Sequence, residues 1–241
     1  MTFFNADIAA MYDHPSDPMN SADKIEPTVE FLASLAGGGA ALEFAIGTGR
    51  IGVPLHARGV DVSGIEISEP MAAVMREKAG AADIEVVMGD MSSTRVDGSF
   101  SLVYLVYNTI SNLLEQDEQV ACFDNAAAHL EPGGHFVIEV GVPRLQRLGV
   151  GEIYVPFDVS ESHIGIDEFD VLNQRLTSHH QWVKDGEATT FSSTHRYAWP
   201  AEYDLMARIA GLKLVKRWAD WERSPFTAES SSHVSVWQKP V

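Results

Sequence analysis

Three glycines after a short apolar run are the first residues whose types and spacing point to ligand binding. The run over residues 40–47 (AALEFAIG) predicts a buried strand, and Gly49 and Gly52 follow its final Gly47. Glycines here let the backbone approach a ligand, while the next helix offers unpaired N–H groups and its positive dipole end. The spacing fits G-x-G-x-x-G, with Glu66 about 20 residues further on, where a carboxylate can hold a ribose. Taken alone, this pattern predicts a nicotinamide oxidoreductase.

The elements that must position these residues alternate between helix and strand. Apolar periodicity and Gly/Pro punctuation predict helices over 23–35, 49–59, 69–79 and 115–130, and strands over 40–47, 60–68, 84–90, 100–108 and 135–141, with a turn at 131–134 before the last of these strands. Strands that alternate with helices in this way form a parallel sheet.

The remainder of the chain predicts antiparallel structure. Segments 174–183 and 188–199 flank Asp185-Gly186, a hairpin signature, and the register places His180 opposite Phe191 and His195 opposite Leu176. A helix from Pro200 to Gly211 and strands over 212–218 and 232–239 then close the sheet.

Four further segments, placed along the successive predicted strands, complete a motif pattern with the glycine loop. Glu43 and Ala45 precede the glycines in the frame E-x-A-x-G-x-G. The second, third and fourth strands end in residues 64–71 (GIEISEPM), 89–91 (GDM) and 106–112 (VYNTISN), and the fifth strand follows in the segment 129–140 (HLEPGGHFVIEV). In this order the chain resembles class I S-adenosylmethionine-dependent methyltransferases of the small-molecule type over residues 40–141, with Ala45 in place of the family's first glycine. It is loosely similar to bacterial N-methyltransferases of nucleotide-linked amino sugars.

The resemblance implies an α/β fold of the Rossmann-like methyltransferase kind. This fold has a mostly parallel seven-stranded sheet with an antiparallel last strand, here with a small antiparallel insert. We expect a single domain over 1–241, with an N-terminal lid and helix (1–36), a cofactor-binding core (40–141), a substrate-side insert (150–199) and a closing helix and hairpin (200–241).

The resemblance also implies where S-adenosylmethionine binds. Glu66 would hold both ribose hydroxyls, and Asp90 would accept from the adenine amino group. The expected cofactor residues are Tyr12, Glu43, Ala45, Ile46, Gly47, Arg50, Glu66, Ile67, Met71, Asp90, Met91 and Val106. Of these, Glu43 is expected mainly to anchor the loop, Arg50 to pair with the methionine carboxylate, and Tyr12 to fold over the cofactor.

Methyl transfer to an N or O atom of a small organic molecule, in bacterial secondary metabolism, is the implied reaction. Positioning supplies most of the catalysis in such a displacement, and a hydroxyl acceptor gains more from a general base than a neutral amine does. The catalytic candidates are His179, His180, Tyr107 and Glu139, and the substrate candidates are Tyr107, Asn108 and Arg144. Since His179 and His180 are neighbours on a strand, at most one faces a pocket. We expect no metal site.

Composition limits the partners. The 241 residues contain 17 Lys+Arg against 34 Asp+Glu, and the resulting formal net charge of −17 argues against nucleic acid. A lone Cys122 and the lack of an apolar run of about 20 residues predict a cytoplasmic protein without a membrane partner. A nicotinamide enzyme and a non-catalytic cofactor-binding module are the alternatives.

Overall fold

The computed structural model describes residues 4–14, 18–184 and 186–241, in which helices separate most of the strands as far as Gly141, although the third strand leads directly to the fourth. The helices are α1 (Ala6–Tyr12), α2 (Ala22–Ala36), α3 (Gly52–Ala57), α4 (Glu69–Arg76), α5 (Gln116–His129) and α6 (Pro200–Ile209). The strands are β1 (Ala41–Phe44), β2 (Val62–Glu66), β3 (Glu85–Met88), β4 (Phe100–Leu105), β5 (Leu130–Gly141), β6 (Tyr154–Val159), β7 (His163–Asp170), β8 (Arg175–Lys184), β9 (Glu187–Arg196), β10 (Lys213–Trp218) and β11 (Ser232–Gln238).

Seven of these strands form the central sheet in the order β10-β11-β5-β4-β1-β2-β3. The strands from β1 to β5 pair in parallel, and β11 runs antiparallel to both β5 and β10. The predicted fold class is confirmed. Because β2 lies on one side of β1 and β4 on the other, the chain changes direction across the sheet at β1. Open α/β sheets bind ligands at such a switch point, beyond the carboxyl ends of the strands.

A second, four-stranded sheet is the antiparallel insert, in the order β6-β7-β8-β9. His180 pairs with Phe191 and His195 with Leu176, so the predicted hairpin register is confirmed. The turn follows the expectation at Gly186, which has a φ of +82° that favours glycine. Asp185, the other predicted turn residue, lies outside the described residues.

Three local predictions were wrong. Residues 131–134 form part of β5 instead of a separate turn, because Phe100 of β4 pairs with Leu130 while Leu102 pairs with His135. The extra residues bulge toward β11, where the Gly133 N–H donates to the Lys239 carbonyl at 2.9 Å. Helices α3 and α4 are also shorter than predicted, because α3 spans Gly52–Ala57 instead of 49–59 and α4 ends at Arg76 rather than at residue 79.

Apolar side chains fill both faces of the central sheet. On one face, the rings of Phe123 (α5), Phe136 (β5) and Trp237 (β11) meet with Phe123 centroid distances of 5.0 Å to Phe136 and 5.3 Å to Trp237. On the other face, Leu32 of α2 and Leu55 of α3 are fully buried. This packing fixes the strand ends at which ligands bind. No helix within the described ranges is both long and apolar enough to cross a membrane.

A buried arginine connects the insert to the central domain. Arg196, the last residue of β9, is 3% exposed and donates to the side-chain oxygens of Gln119 (2.6 Å), Gln174 (3.0 Å) and Glu202 (2.6 Å). Gln119 belongs to α5 and Glu202 to α6, so a single guanidinium links the end of the insert to two helices of the core.

Replacing this arginine is expected to destabilise the protein strongly. Arg196→Met removes the guanidinium donor from three buried or half-buried oxygens, and loss of one partner of a buried ion pair costs about 3–5 kcal/mol. Urea denaturation measures this difference in the free energy of unfolding. The control is Arg208→Met, an exposed position on α6, which should change stability by less than about 0.5 kcal/mol. Equal effects of the two substitutions would contradict the structural role of Arg196.

Candidate active site

A buried carboxyl group supports the glycine loop from below. Glu43 is the third residue of β1 and is 3% exposed, and the Tyr104 hydroxyl donates to its Oε2 at 3.0 Å. A Cβ on Gly52, at the start of α3, would lie 2.7 Å from the same Oε2, so only glycine fits there. Burial raises the pKa of Glu43 to about 8, against the lowering effect of the Tyr104 hydrogen bond. This placement agrees with a loop-anchoring role.

Glu66 joins two loops at the carboxyl end of β2. Its Oε2 accepts from the Gly47 N–H and its Oε1 from the Ser68 N–H, both at 2.7 Å. Burial raises the pKa of this carboxyl too, and the backbone donors, Ser68 first, lower it. The carboxylate therefore fixes the glycine loop relative to the start of α4 while still lining a cavity.

That cavity has a volume of about 440 Å³ and lies beyond the ends of β1 to β4. Eight of the expected cofactor residues line it: Tyr12, Ala45, Gly47, Glu66, Ile67, Met71, Asp90 and Met91. Asp90 accepts from the Ser92 N–H and hydroxyl through Oδ1 (2.7 and 2.6 Å), and its Oδ2 has no hydrogen bond to a described residue. Ile67 leaves 49% of its surface exposed on the wall, a suitable apolar contact for a flat ring.

The four other expected cofactor residues lie outside this cavity, each for a physical reason. Glu43 is buried under the loop, and the Ile46 side chain fills the space above Gly64, where a Cβ would lie 2.7 Å from it. The Val106 carbonyl accepts from the Thr109 hydroxyl at 2.7 Å.

Arg50 is the fourth, and it is turned toward a different part of the molecule. Its guanidinium lies 5.0 Å from the centre of the Tyr107 ring and donates to the Met19 carbonyl at 3.1 Å. Its expected pairing with the methionine carboxylate stays a prediction, and it would require the side chain to move.

The N-terminal helix α1 covers the cavity. Tyr12 lines it, and two hydrogen bonds hold this segment to the core: Thr48 Oγ1 donates to Asp13 Oδ1 at 2.8 Å, and Ser68 Oγ donates to the Phe4 carbonyl at 2.6 Å. Lys78 also pairs with Asp13 at 2.7 Å. Sequence reasoning missed Thr48 and Ser68, although both directly follow residues that it selected.

A second cavity of about 470 Å³ lies between the ends of β4 and β5 and the insert. The three expected substrate residues, Tyr107, Asn108 and Arg144, line it together with Asp167, His180 and Tyr197. His195 lines both cavities, so their walls meet at this residue. The hairpin register predicted the position of His195 along its strand. Only the packing of the insert against the core shows that His195 faces the two cavities.

The loop after β4 has an unusual backbone. Tyr107 and Asn108 have φ values of +58° and +60°, which cost non-glycine residues about 1–3 kcal/mol each. Glu139 stabilises this shape, because its Oε2 accepts from the Tyr107 N–H at 2.9 Å. Asn108 Oδ1 in turn accepts from the Gly141 N–H at 2.6 Å. Glu139 lines neither of the two cavities, so the geometry favours a supporting role over a catalytic one.

The two neighbouring histidines of β8 point to opposite faces of the insert. His179 contacts Glu168 through Nε2 and Ser192 through Nδ1, both at 2.9 Å, and lies outside both cavities. His180 faces the second cavity. Within the described part of the chain, no group of three or more His, Cys, Asp or Glu side chains is arranged to hold a metal ion.

Comparison with known proteins identifies the class. Residues 41–134 match the model of a methyltransferase domain family. The structure of the CcbJ methyltransferase from Streptomyces caelestis is 37% identical in sequence and superimposes with a TM-score of 0.85, covering 97% of this chain and 96% of that one. The chain belongs to the S-adenosylmethionine-dependent methyltransferases.

Two further relatives add detail. A cypemycin N-terminal methyltransferase from a Streptomyces species is 29% identical over 204 residues, 82% of each chain. The structure of CalS10 with bound S-adenosylmethionine, an amino pentose methyltransferase from Micromonospora echinaspora, shares the fold at 18% identity, with a TM-score of 0.69 and coverage of 99% and 98%.

These findings confirm the resemblance and make S-adenosylmethionine the cofactor. The first cavity fits it, because two carboxylates at adjacent strand ends offer acceptors to a ribose and an adenine amino group, and the wall near Ile67 is apolar. The nicotinamide interpretation of the glycine spacing is therefore set aside.

Glu66→Ala should weaken binding of S-adenosylhomocysteine tenfold or more. The variant removes the proposed partner of the ribose hydroxyls and the acceptor that orders the Gly47 backbone. Isothermal titration calorimetry gives the dissociation constants. Glu69→Ala, at an exposed neighbouring carboxylate, is the matched control and should bind as the wild type does. Unchanged affinity in a folded Glu66→Ala protein would contradict the ribose contact.

Because of Glu43, the free energy of unfolding of the protein should fall as the pH rises. In the unfolded chain this carboxyl loses its proton near the ordinary pKa of 4.5, but in the folded protein it keeps it up to about 8. The folded state binds more protons between these values, so the free energy of unfolding falls with rising pH. In Glu43→Gln, urea denaturation from pH 5 to 8 should show a shallower fall. An exposed control, Glu30→Gln, should retain the wild-type slope.

Proposed function

We propose that this enzyme transfers the methyl group of S-adenosylmethionine to an amino nitrogen of a small molecule. The observation that carries the proposal is the second cavity, which contains a carboxylate, Asp167, and meets the cofactor cavity at His195. Its volume of about 470 Å³ falls within the range of about 300–1,000 Å³ that is usual for small-molecule sites. The net charge of −17 argues against a nucleic-acid acceptor.

The choice of nitrogen rests on charge and on the relatives. Asp167 is half-buried, and its Oδ1 accepts from the Ser178 hydroxyl at 2.7 Å, which leaves Oδ2 available to the N–H groups of an amine. A carboxylate in such a site favours a cationic ligand, since hydrogen bonds between charged groups are about twice as strong as neutral ones. Two of the relatives have names that point to nitrogen acceptors, the cypemycin N-terminal methyltransferase from Streptomyces and the amino pentose methyltransferase CalS10 from Micromonospora.

The rest of the acceptor is expected to be partly apolar, with an anionic end. Phe157, Phe169 and Leu176 supply the apolar wall. Arg144 is exposed at the edge of the cavity, where it can pair with a phosphate or carboxylate of the ligand. Arg175, another candidate for that role, already pairs with Glu115. A nucleotide-linked amino sugar has all three features, and the CalS10 relative takes part in calicheamicin biosynthesis, which favours a role in secondary metabolism.

Catalysis by this chain is mainly a matter of placement. When bound, S-adenosylmethionine supplies a methyl group on a positively charged sulfur. The chain holds the acceptor in line through Asp167 and Arg144, while Tyr107 and Asn108, in the loop that Glu139 supports, line the acceptor cavity. Such positioning can lower a barrier by about 7–11 kcal/mol. We also propose a reducing, cytoplasmic setting, because Cys122 is the lone cysteine and is buried.

Methyl transfer to defined acceptors tests the proposal. S-adenosylmethionine with a labelled methyl group is incubated with a nucleotide-linked amino sugar, with a peptide that has a free N-terminus, and with analogues in which hydroxyl replaces the amine. We expect label on at least one amine and none on its hydroxyl analogue. Asp167→Asn should raise KM for that amine about tenfold, whereas Glu168→Gln, on the opposite face of β7, should not. Equal labelling of the hydroxyl analogue would overturn the choice of nitrogen.

A further inference from the structure

Three side chains on consecutive strands of the insert form a hydrogen-bonded chain that ends in the acceptor cavity. Asp158 Oδ2 on β6 contacts His163 Nδ1 on β7 at 2.6 Å, and His163 Nε2 contacts His180 Nδ1 on β8 at 3.0 Å. The planes of the two imidazole rings are within 14° of parallel, and the ring centroids lie 5.2 Å apart. At its outer end the Asp158 side chain is 45% exposed, while His180 lines the cavity.

The carboxylate determines which nitrogen of each ring carries a proton. An ionised Asp158 can only accept, so His163 donates through Nδ1–H and its Nε2 is an acceptor. His180 must then donate through Nδ1–H, which leaves the lone pair on its own Nε2. That Nε2 has no hydrogen bond to any residue in the described ranges. Two steps of hydrogen bonding thus prepare a neutral base at the surface of the acceptor cavity.

Packing holds the His180 ring in this orientation. The Phe157 ring lies edge-on at a centroid distance of 5.2 Å, and the Phe191 ring lies 6.0 Å away across the hairpin. Phe157 can take this place because β7 carries Gly165 beside it, where a Cβ would lie 2.3 Å from the Phe157 ring. By contrast, His195 has both nitrogens occupied, Nδ1 by Asn112 at 3.2 Å and Nε2 by Ser193 at 2.9 Å.

We propose that His180 Nε2 accepts the proton that the acceptor nitrogen must lose before methylation, and that His163 and Asp158 are positioning residues that fix its tautomer and open a path to solvent. This inference rests on the proposed function, since it requires an acceptor in the second cavity. It goes further by giving the insert a catalytic task.

The step balances in protons and electrons. His180 Nε2 takes one proton from the ammonium form of the acceptor, which frees the nitrogen lone pair. That lone pair forms the new C–N bond as the C–S bond breaks, and the bonding electrons of C–S stay on sulfur. His180 then passes its Nδ1 proton to His163 Nε2 while His163 gives its Nδ1 proton to Asp158. The half-exposed Asp158 releases that proton to water. When the product has left, His180 gives its Nε2 proton to water in the cavity, and a proton that returns through Asp158 and His163 restores the starting tautomers.

The charges around His180 suit a base that is neutral at physiological pH. Burial lowers its pKa below 6.5, and His163 and His179 act in the same direction, while Asp167 raises it. His195 on β9 and Asp158 on β6 are further titratable groups close to this row of hydrogen-bonded side chains. Below its pKa the ring is protonated and cannot accept, so catalysis should fall as the pH is lowered through that value.

The first test needs no acceptor. Nitrogen-15 NMR of the histidine rings in the free protein should show His180 protonated at Nδ1 and bare at Nε2. In Asp158→Asn the amide can donate to His163 Nδ1, which reverses both tautomers and protonates His180 Nε2. The matched control is Glu168→Gln, which alters the carboxylate partner of His179 and should leave His180 unchanged. A wild-type His180 that carries its proton on Nε2 would overturn the proposal.

The second test is kinetic and uses the amine methylated best in the acceptor panel. His180→Gln should lower kcat about 100-fold, within the usual range of a general base, and Asp158→Asn at least tenfold, with unchanged affinity for S-adenosylhomocysteine. The deficit should shrink toward about pH 10, where an alkylamine loses its proton unaided. If the wild type methylates the amine and His180→Gln matches it at pH 7, the relay is wrong and the proposed function stands. If no amine is methylated, the proposed function fails, and the NMR result still decides the tautomers.

Discussion

The carboxylate of Glu66 is the contact on which the cofactor site depends. It accepts one backbone N–H from the glycine loop and one from the start of α4, each at 2.7 Å. Burying a carboxylate is costly unless donors replace its water, and here two amides do so at adjacent strand ends. The same bonds draw Gly47 and Ser68 together, and Ser68 then reaches the Phe4 carbonyl. One buried charge therefore orders the loop, the helix start and the covering N-terminal segment.

The acceptor cavity depends on a different constraint. A mostly polar antiparallel sheet must be attached to an apolar α/β core. The insert has little core of its own, with Val155, Phe169 and Tyr197 as its buried apolar cluster. Its position relies on Arg196, whose donors meet α5, α6 and the β7–β8 connection. Because His195 precedes Arg196, anchoring the arginine also places His195 where the two cavities meet. The methyl donor and acceptor are therefore brought together by one end of β9.

The sequence predicted much of the fold and of the cofactor cavity for a simple reason. Parallel strands end at the same edge of a sheet, so Glu66 and Asp90, once assigned to strand ends, must lie near the glycine loop. Eight expected cofactor residues do line that cavity. One departure has an equally local cause, because a shift in strand register makes residues 131–134 part of β5. Arg50 lies against the Tyr107 ring and donates to the Met19 carbonyl, and its pairing with the methionine carboxylate stays a prediction.

The sequence by itself determined the family, the succession of helices and strands along the chain and the faces of the hairpin, because these depend on local periodicity, turn chemistry and a compact motif order. Only the tertiary structure decided which polar residues meet across elements. Asp158, His163 and His180 are separated along the chain and join because three strands of the insert pair in one register. His195 faces both cavities because the next residue, Arg196, is buried against two helices of the core. Such contacts depend on how whole elements dock, and no short stretch of sequence encodes that geometry.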